Sequence, residues 1–135
     1  MIDVENEVYT EVVTALRTDF STIYTSGDIT IVPPSFPAIF LYQMDNSTYE
    51  RTLDSSGDEN HVEVMFQAEV FSNSTAGKKS EAKSIMAALD DEMLGMGFTR
   101  TSSSPMPMPN KESTIYRIVA RYRAVISNDS TIYRR

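Results

Sequence analysis

Three arginines, Arg117, Arg121 and Arg123, stand close together in a segment that reads TIYRIVARYRAVISNDSTIY over 114–133. Apolar and polar residues alternate from 116 to 126, and this period of two is typical of a strand that is buried on one face. The alternation puts the arginines on one face and a row of aromatic and aliphatic side chains on the other. Guanidinium groups bind carboxylates, so the arginines are candidates for ion pairs with acidic neighbours or with a partner.

The acidic partners of these arginines can come from two places. Glu63 and Glu69 lie on the polar face of another predicted strand, and cross-strand ion pairs with them would neutralise the arginines inside one chain. The segment 45–60, which reads DNSTYERTLDSSGDEN, carries five acidic residues and one arginine, and we interpret it as a long loop. On a neighbouring copy of the chain, this loop would complement the basic strand. The candidate residues of such a subunit interface are Arg117, Arg121, Arg123, Asp54, Asp58 and Glu59.

Other residues with catalytic or metal-binding capacity do not form a recognisable motif. His61 is the only histidine, there is no cysteine, and no motif places a nucleophile or an acid beside His61. Asp54, Asp58 and Glu59 lack the spacing of a calcium-binding loop. The GKKS at 77–80 lacks both the first glycine of a phosphate-binding loop and the Ser or Thr that must follow its lysine. We therefore expect a protein that is not an enzyme, with no catalytic residues, no metal site and no cofactor.

The charge of the chain is negative overall and unevenly distributed. The 135 residues have a formal charge of −7, with 12 acidic and 2 basic residues in 1–63 and 7 acidic and 10 basic residues in 64–135. Because sequence-specific DNA binding calls for a basic excess, this sign argues against it. The N-terminal stretch resembles no signal peptide, and no apolar run reaches the length of a membrane span. We expect a protein of the cytosol, or of an assembly that forms there, without membrane contact.

Hydrophobic periodicity predicts a single domain, 1–135, built from two helices and a sheet. The predicted helices span 3–20 and 75–94, and the predicted strands span 29–32, 37–44, 62–70, 116–126 and 131–135. A further candidate strand at 98–103 is not counted, and a proline-rich loop is expected at 102–110 beside the acidic loop at 45–60. The prediction is an α+β fold in the order α-β-β-β-α-β-β, with a mostly antiparallel sheet and both helices packed on one face.

The second predicted helix carries its charges against its own dipole. Lysines occupy its first turns, whereas Asp90, Asp91 and Glu92 lie near its C-terminal end. Each such charge costs only about 0.3–1 kcal/mol at an exposed helix end, so an ordinary solvated helix tolerates the arrangement. The alternative interpretation is that both ends meet opposite charges on a neighbouring subunit.

Two stretches of the chain resemble a known family. The helical AGKKSEAKSIMAALDDEMLGMGF, the proline-rich break after it and the closing YRIVARYRAVISNDSTIYRR are similar to the tail terminator (tail-completion) proteins of long-tailed bacteriophages. The resemblance implies a small α+β virion protein that forms a hexameric ring on the head-proximal end of the tail tube. Such a ring ends tube growth and offers the surface that joins the head.

The partners that this resemblance implies are further copies of the chain, the tail tube protein and a head completion or connector protein. DNA would pass through the lumen of the ring without specific binding. The protein would be located in the virion, at the head–tail junction, after assembly in the cytoplasm of the host bacterium.

Three alternatives remain open on sequence grounds. The chain could be a head–tail connector or minor capsid protein of similar build. A small metal-dependent hydrolase would need a carboxylate cluster and bound metal, and a small cytosolic binding module would stay monomeric and associate with neither tail tubes nor heads.

Overall fold

The computed structural model describes residues 4–27, 35–48, 61–75, 77–105, 115–127 and 132–133. The elements are α1 (Glu5–Asp19), β1 (Tyr24–Ser26), β2 (Ala38–Thr48), β3 (His61–Ser72), α2 (Lys78–Met96), β4 (Thr99–Pro105), β5 (Tyr116–Ser127) and β6 (Ile132–Tyr133). The α+β class is confirmed, and the predicted order α-β-β-β-α-β-β is confirmed from α1 through β5. The two-residue β6 lies within the predicted strand at 131–135, and β4 is the strand that the predicted order did not count.

The strands form one sheet in the order β1-β2-β3-β5-β4, and β6 pairs with the end of β5. The short β1 runs parallel to β2, and all other pairs among the described strands are antiparallel. The long ladder between β3 and β5 occupies the middle of the sheet, running from His61 opposite Ser127 to Ser72 opposite Tyr116. Successive side chains of β3 and β5 point to opposite faces of the sheet, and the helices cover one of these faces, so both strands show the alternation of the sequence.

Both helices pack against the same face of the sheet. The buried residues of α1 recur at helical spacing, as do those of α2, so each helix turns one apolar stripe toward the strands. They form one core with alternate residues of β5, and those β5 residues are Ile118, Ala120, Tyr122, Ala124 and Ile126. The predicted helical layer on one face, and the predicted buried side of the arginine strand, are therefore confirmed.

Several element boundaries differ from the sequence predictions. The first strand of the structure is β1 at Tyr24–Ser26, whereas the predicted strand at 29–32 lies outside the described residues. The segment 98–103 does contribute a strand, β4, because the free edge of β5 can pair with a polar segment that need not bury both of its faces. The proline-rich loop predicted at 102–110 is part of β4 as far as Pro105, and residues 106–110 lie outside the described part of the chain.

The second strand is longer than predicted. β2 continues to Thr48, so 45–48 is strand rather than loop, and 49–60 lies outside the described residues. Its polar end can be strand because backbone hydrogen bonds to β3, from Asp45 opposite Met65 to Thr48 opposite Val62, do not require apolar side chains. An irregularity in register between Gln43 and Asp45 accommodates the exposed Met44.

Asp90 joins α2 to the sheet. Its carboxylate accepts a hydrogen bond of 2.8 Å from the buried Tyr122 hydroxyl and pairs at 2.9 Å with Arg100 of β4. Burial raises the pKa of Tyr122, and the hydrogen bond to Asp90 adds to this effect. At least one of the acids near the C-terminal end of α2 therefore finds its partners within the chain.

Two glycines that follow the predicted helix at 75–94 have different roles at the end of α2. Gly95 lies inside the helix with open space at the position where a Cβ would be, whereas Gly97 is the left-handed C-cap with φ of 108°. We expect Gly95→Ala to raise the free energy of unfolding by about 0.5–1 kcal/mol, because alanine is the better helix former. Gly97→Ala is expected to lower it by about 1–3 kcal/mol, because an L side chain is strained at positive φ.

Urea-induced unfolding of the two variants beside the wild type measures this difference, and each variant serves as the control for the other. A Gly97→Ala variant as stable as Gly95→Ala would contradict the assignment of the cap.

Candidate subunit interface

The face of the sheet opposite α1 and α2 carries the three arginines of β5, and we call it the arginine face. Its β5 residues are Arg117, Val119, Arg121, Arg123 and Val125, as the alternation in the sequence predicts. The two valines are buried, Arg117 and Arg123 are half-buried, and Arg121 is exposed. The three arginines therefore differ in environment, although they share one strand and one side.

Arg117 has an acidic partner inside the chain. Its Nε donates a hydrogen bond of 2.8 Å to Oε1 of Glu69, and its Nη2 contacts the same oxygen. The side chain of Glu69 is only 4% exposed and that of Arg117 only 17%. The guanidinium also lies 5.9 Å from the centroid of the Phe71 ring, within cation–π distance. The cross-strand ion pair expected with Glu69 is therefore present for Arg117.

Apolar packing supports this ion pair. Phe71 stands directly opposite Arg117 in the ladder and packs against Phe40 of β2 at a ring separation of 5.2 Å. Both rings belong to a small second core on this face, whose buried members are Ala38, Phe40, Tyr42 and Phe71. Arg117 is thus held between a buried carboxylate and a buried aromatic ring.

A chain of hydrogen bonds links Arg117 to Arg121 across the arginine face. Arg121 Nε donates to Gln67 Oε1 at 3.0 Å, and Gln67 Nε2 donates to the hydroxyl of Tyr42. That hydroxyl donates in turn to Oε2 of Glu69 at 2.8 Å. Burial, followed by the hydrogen bond to Glu69, raises the pKa of Tyr42 to about 12. This series of hydrogen bonds ends at the Glu69 carboxylate, which also accepts the hydrogen bond from Arg117.

Sequence reasoning did not identify Tyr42 and Gln67 as members of this network. They lie in the predicted strands 62–70 and 37–44, and the sequence assigns neither of them a partner. One signal was present in the sequence, because a tyrosine in a covered strand still needs a hydrogen-bond partner for its hydroxyl. The identity of that partner depends on register: Tyr42 stands opposite Gln67, and Gln67 stands opposite Arg121.

Arg121 and Arg123 keep donors that the described part of the chain does not use. Arg121 is exposed, and within the described residues the bond from its Nε to Gln67 is the only hydrogen bond or ion pair that its side chain makes. Arg123 stands opposite Met65, and its buried Nε has no hydrogen-bond partner among the described residues. Glu63, the second acid suggested as a cross-strand partner, stands opposite Val125 and makes no ion pair with these arginines within the described residues.

The remaining predicted site residues are not brought to this face by the described structure. Asp54, Asp58 and Glu59 lie outside the described residues, so their pairing with the arginines stays a prediction. His61 is the first residue of β3. In the described ranges, no three His, Cys, Asp or Glu side chains are grouped so that they could hold a metal ion.

The arginine face can bind acidic groups. Arg117 is used inside the fold, whereas Arg121 and Arg123 keep donors with which they can bind a partner.

Neither helix among the described residues is long and apolar enough to cross a membrane. Comparison with known proteins finds no family model that matches this chain and no curated protein with significant similarity to it.

Proposed function

We propose that this chain is the subunit of a phage tail terminator. In this proposal six copies form a ring at the head-proximal end of the tail tube. The ring ends tube growth and provides the surface that joins the head. Its partners are the tail tube protein below and a head completion or connector protein above, and DNA passes through its lumen without specific binding.

The two stretches that resemble tail terminators support this proposal through the elements that they form. The first, AGKKSEAKSIMAALDDEMLGMGF, comprises α2 with its Gly97 cap and the first residue after it. The second, which begins at Tyr116, contains β5 and β6. These elements pack on each other in a small α+β domain, the fold that the resemblance implies.

The strongest support for the proposal comes from the unused hydrogen-bond donors of Arg121 and Arg123. Both point away from the helical layer with donors that no described residue accepts, in a chain whose formal charge is −7. Because the same chain supplies many carboxylates, a second copy is the simplest source of acceptors. A ring with head-to-tail contacts requires two different patches on each subunit, and a basic face together with an acidic surface meets this requirement.

The net charge also suits passage of DNA. Phosphates are repelled by an acidic surface, and non-specific DNA affinity arises from basic residues that neutralise phosphates. In subunits of charge −7, acidic residues outnumber the basic residues that could neutralise phosphates. The proposed lumen would therefore let the duplex slide rather than hold it.

The experiment that tests the proposal combines mass in solution with electron microscopy. We expect rings of six copies, about 90 kDa from subunits of 15.2 kDa, either at high protein concentration or on the ends of purified tail tubes. The protein should bind to one end of the tube and stop its growth. A protein that remains strictly monomeric and does not associate with tail tubes would contradict the proposal.

A further inference from the structure

Arg121 and Arg123 form a pair of neighbouring donors on one strand. They are two residues apart on the same face of β5, which separates their Cα atoms by roughly 7 Å. The bond from Arg121 Nε to Gln67 holds its side chain across the sheet and leaves its terminal nitrogens available. The buried Nε of Arg123 has no hydrogen-bond partner in the part of the chain that the structure describes. Such a pair is suited to two carboxylates at a similar spacing.

The outer surface of α1 offers two such carboxylates. Glu7 and Glu11 are both exposed and are one helical turn apart, which places their Cβ atoms roughly 5–6 Å from each other. Neither makes an ion pair within the described part of the chain. The first basic residue of the helix is Arg17, which bonds to Thr25 at 2.8 Å near the other end. Glu7 and Glu11 therefore present an acidic surface that has no counter-charge among the described residues.

The second helix is a poorer match. Its exposed residues mix both signs, with Lys79 and Lys83 in the N-terminal half and Asp91 in the C-terminal half. A basic face approaching α2 would meet lysines as well as acids, and like charges across an interface oppose binding. Charge complementarity therefore favours α1.

The two matching surfaces lie on opposite sides of the molecule. α1 packs on the helical side of the sheet through Val8 and Val12, while Arg121 and Arg123 belong to the other face. They cannot meet within one chain. We propose that Arg121 and Arg123 of one copy bind Glu7 and Glu11 of the next copy, in a head-to-tail contact repeated around the assembly. This inference rests on the proposed function, because it names the contact from which the ring is built.

The contact can be tested with two charge-reversed variants that repel themselves but attract each other. One is Arg121→Glu/Arg123→Glu, and the other is Glu7→Arg/Glu11→Arg. Each variant alone is expected to assemble at least about tenfold more weakly than wild type, because repulsion replaces attraction at every contact. An equimolar mixture should recover assembly to within about threefold of wild type, because both kinds of contact are then between opposite charges. Native mass spectrometry should find the two chains in equal numbers.

Two further variants keep the test decisive. Because Arg123 is half-buried, Arg121→Glu alone replaces the double change if the latter lowers the melting temperature by more than a few degrees. Asp91→Lys/Glu92→Lys on α2 changes the net charge as much as the α1 variant does, and it should not restore assembly when mixed with the arginine variant.

The outcomes separate this contact from the proposed function. A wild-type chain that assembles while the mixture stays as weak as its components would overturn the pairing with α1. Rescue by reversal at Asp54, Asp58 and Glu59 instead would assign the arginines to the acidic segment 45–60. A wild-type chain that forms no assembly, alone or on tail tubes, would overturn the proposed function and this contact with it.

Discussion

Replacing Arg117 with methionine is expected to lower the free energy of unfolding by about 3 kcal/mol. The change leaves the carboxylate of Glu69, which is only 4% exposed, without its cation. Removing one partner of a buried ion pair costs about 3–5 kcal/mol, and the lower end applies because the guanidinium keeps some contact with water. Methionine preserves much of the packing on Phe71, so the loss reports mainly on charge.

Urea-induced unfolding measures this effect, with Arg121→Met as the matched control. Arg121 is exposed and bonded only to the neutral Gln67 in the described structure, so its replacement should change stability by less than about 1 kcal/mol. The double change Arg117→Met/Glu69→Gln should be less destabilised than Arg117→Met, because a neutral amide needs no counter-ion and still accepts the Tyr42 hydrogen bond. Equal losses from Arg117→Met and Arg121→Met would contradict the distinction between the two arginines.

Replacing Phe66 with alanine is expected to lower the free energy of unfolding by about 3–5 kcal/mol. Phe66 is fully buried in the central strand β3, under the helical layer, and meets the Phe98 ring edge-on at a centroid distance of 5.4 Å. Truncation removes its apolar contacts and leaves a cavity that a sheet held on both sides by hydrogen bonds cannot close.

The control for Phe66 is Met44→Ala, because Met44 is 43% exposed beside an irregularity at the polar end of β2. That change should stay within about 1 kcal/mol of wild type when the free energy of unfolding is measured in the same way. Phe66→Ala should weaken assembly only as far as it reduces the fraction of folded protein. Arg121→Glu should weaken assembly at an unchanged melting temperature. A Phe66→Ala protein as stable as Met44→Ala would contradict the placement of the core.

The three arginines of β5 illustrate how one strand can serve the fold and an interface at once. Arg117 is bound to Glu69 and lies 5.9 Å from the centroid of the Phe71 ring, so it adjoins the second core. Arg121 is joined to the same network only through the amide of Gln67. A substitution at Arg117 should therefore mainly lower the stability of the single subunit, whereas one at Arg121 should mainly weaken binding between subunits. The two kinds of measurement, melting and sedimentation, distinguish them.

Features that depend on local periodicity can be predicted from the amino-acid sequence alone. The alternation around the arginines predicted which β5 side chains enter the core, and Ile118 and Tyr122 are buried there. The helices were predicted in the same way, because burying one side of a helix or strand imposes a period that can be read along the chain. The α+β class and the one-sided helical layer follow from these periods and the order of the elements.

Which residues meet across the sheet depends on strand pairing, and this cannot be predicted from local periodicity. The sequence offered Glu63 and Glu69 equally as partners, and the register between β3 and β5 gave Arg117 to Glu69 and put Glu63 opposite Val125. The role of β4 could not be predicted either, because a polar segment becomes an edge strand only when a neighbouring strand has an unpaired edge. Register and edge pairing are contacts between residues far apart in the chain, so no local period encodes them.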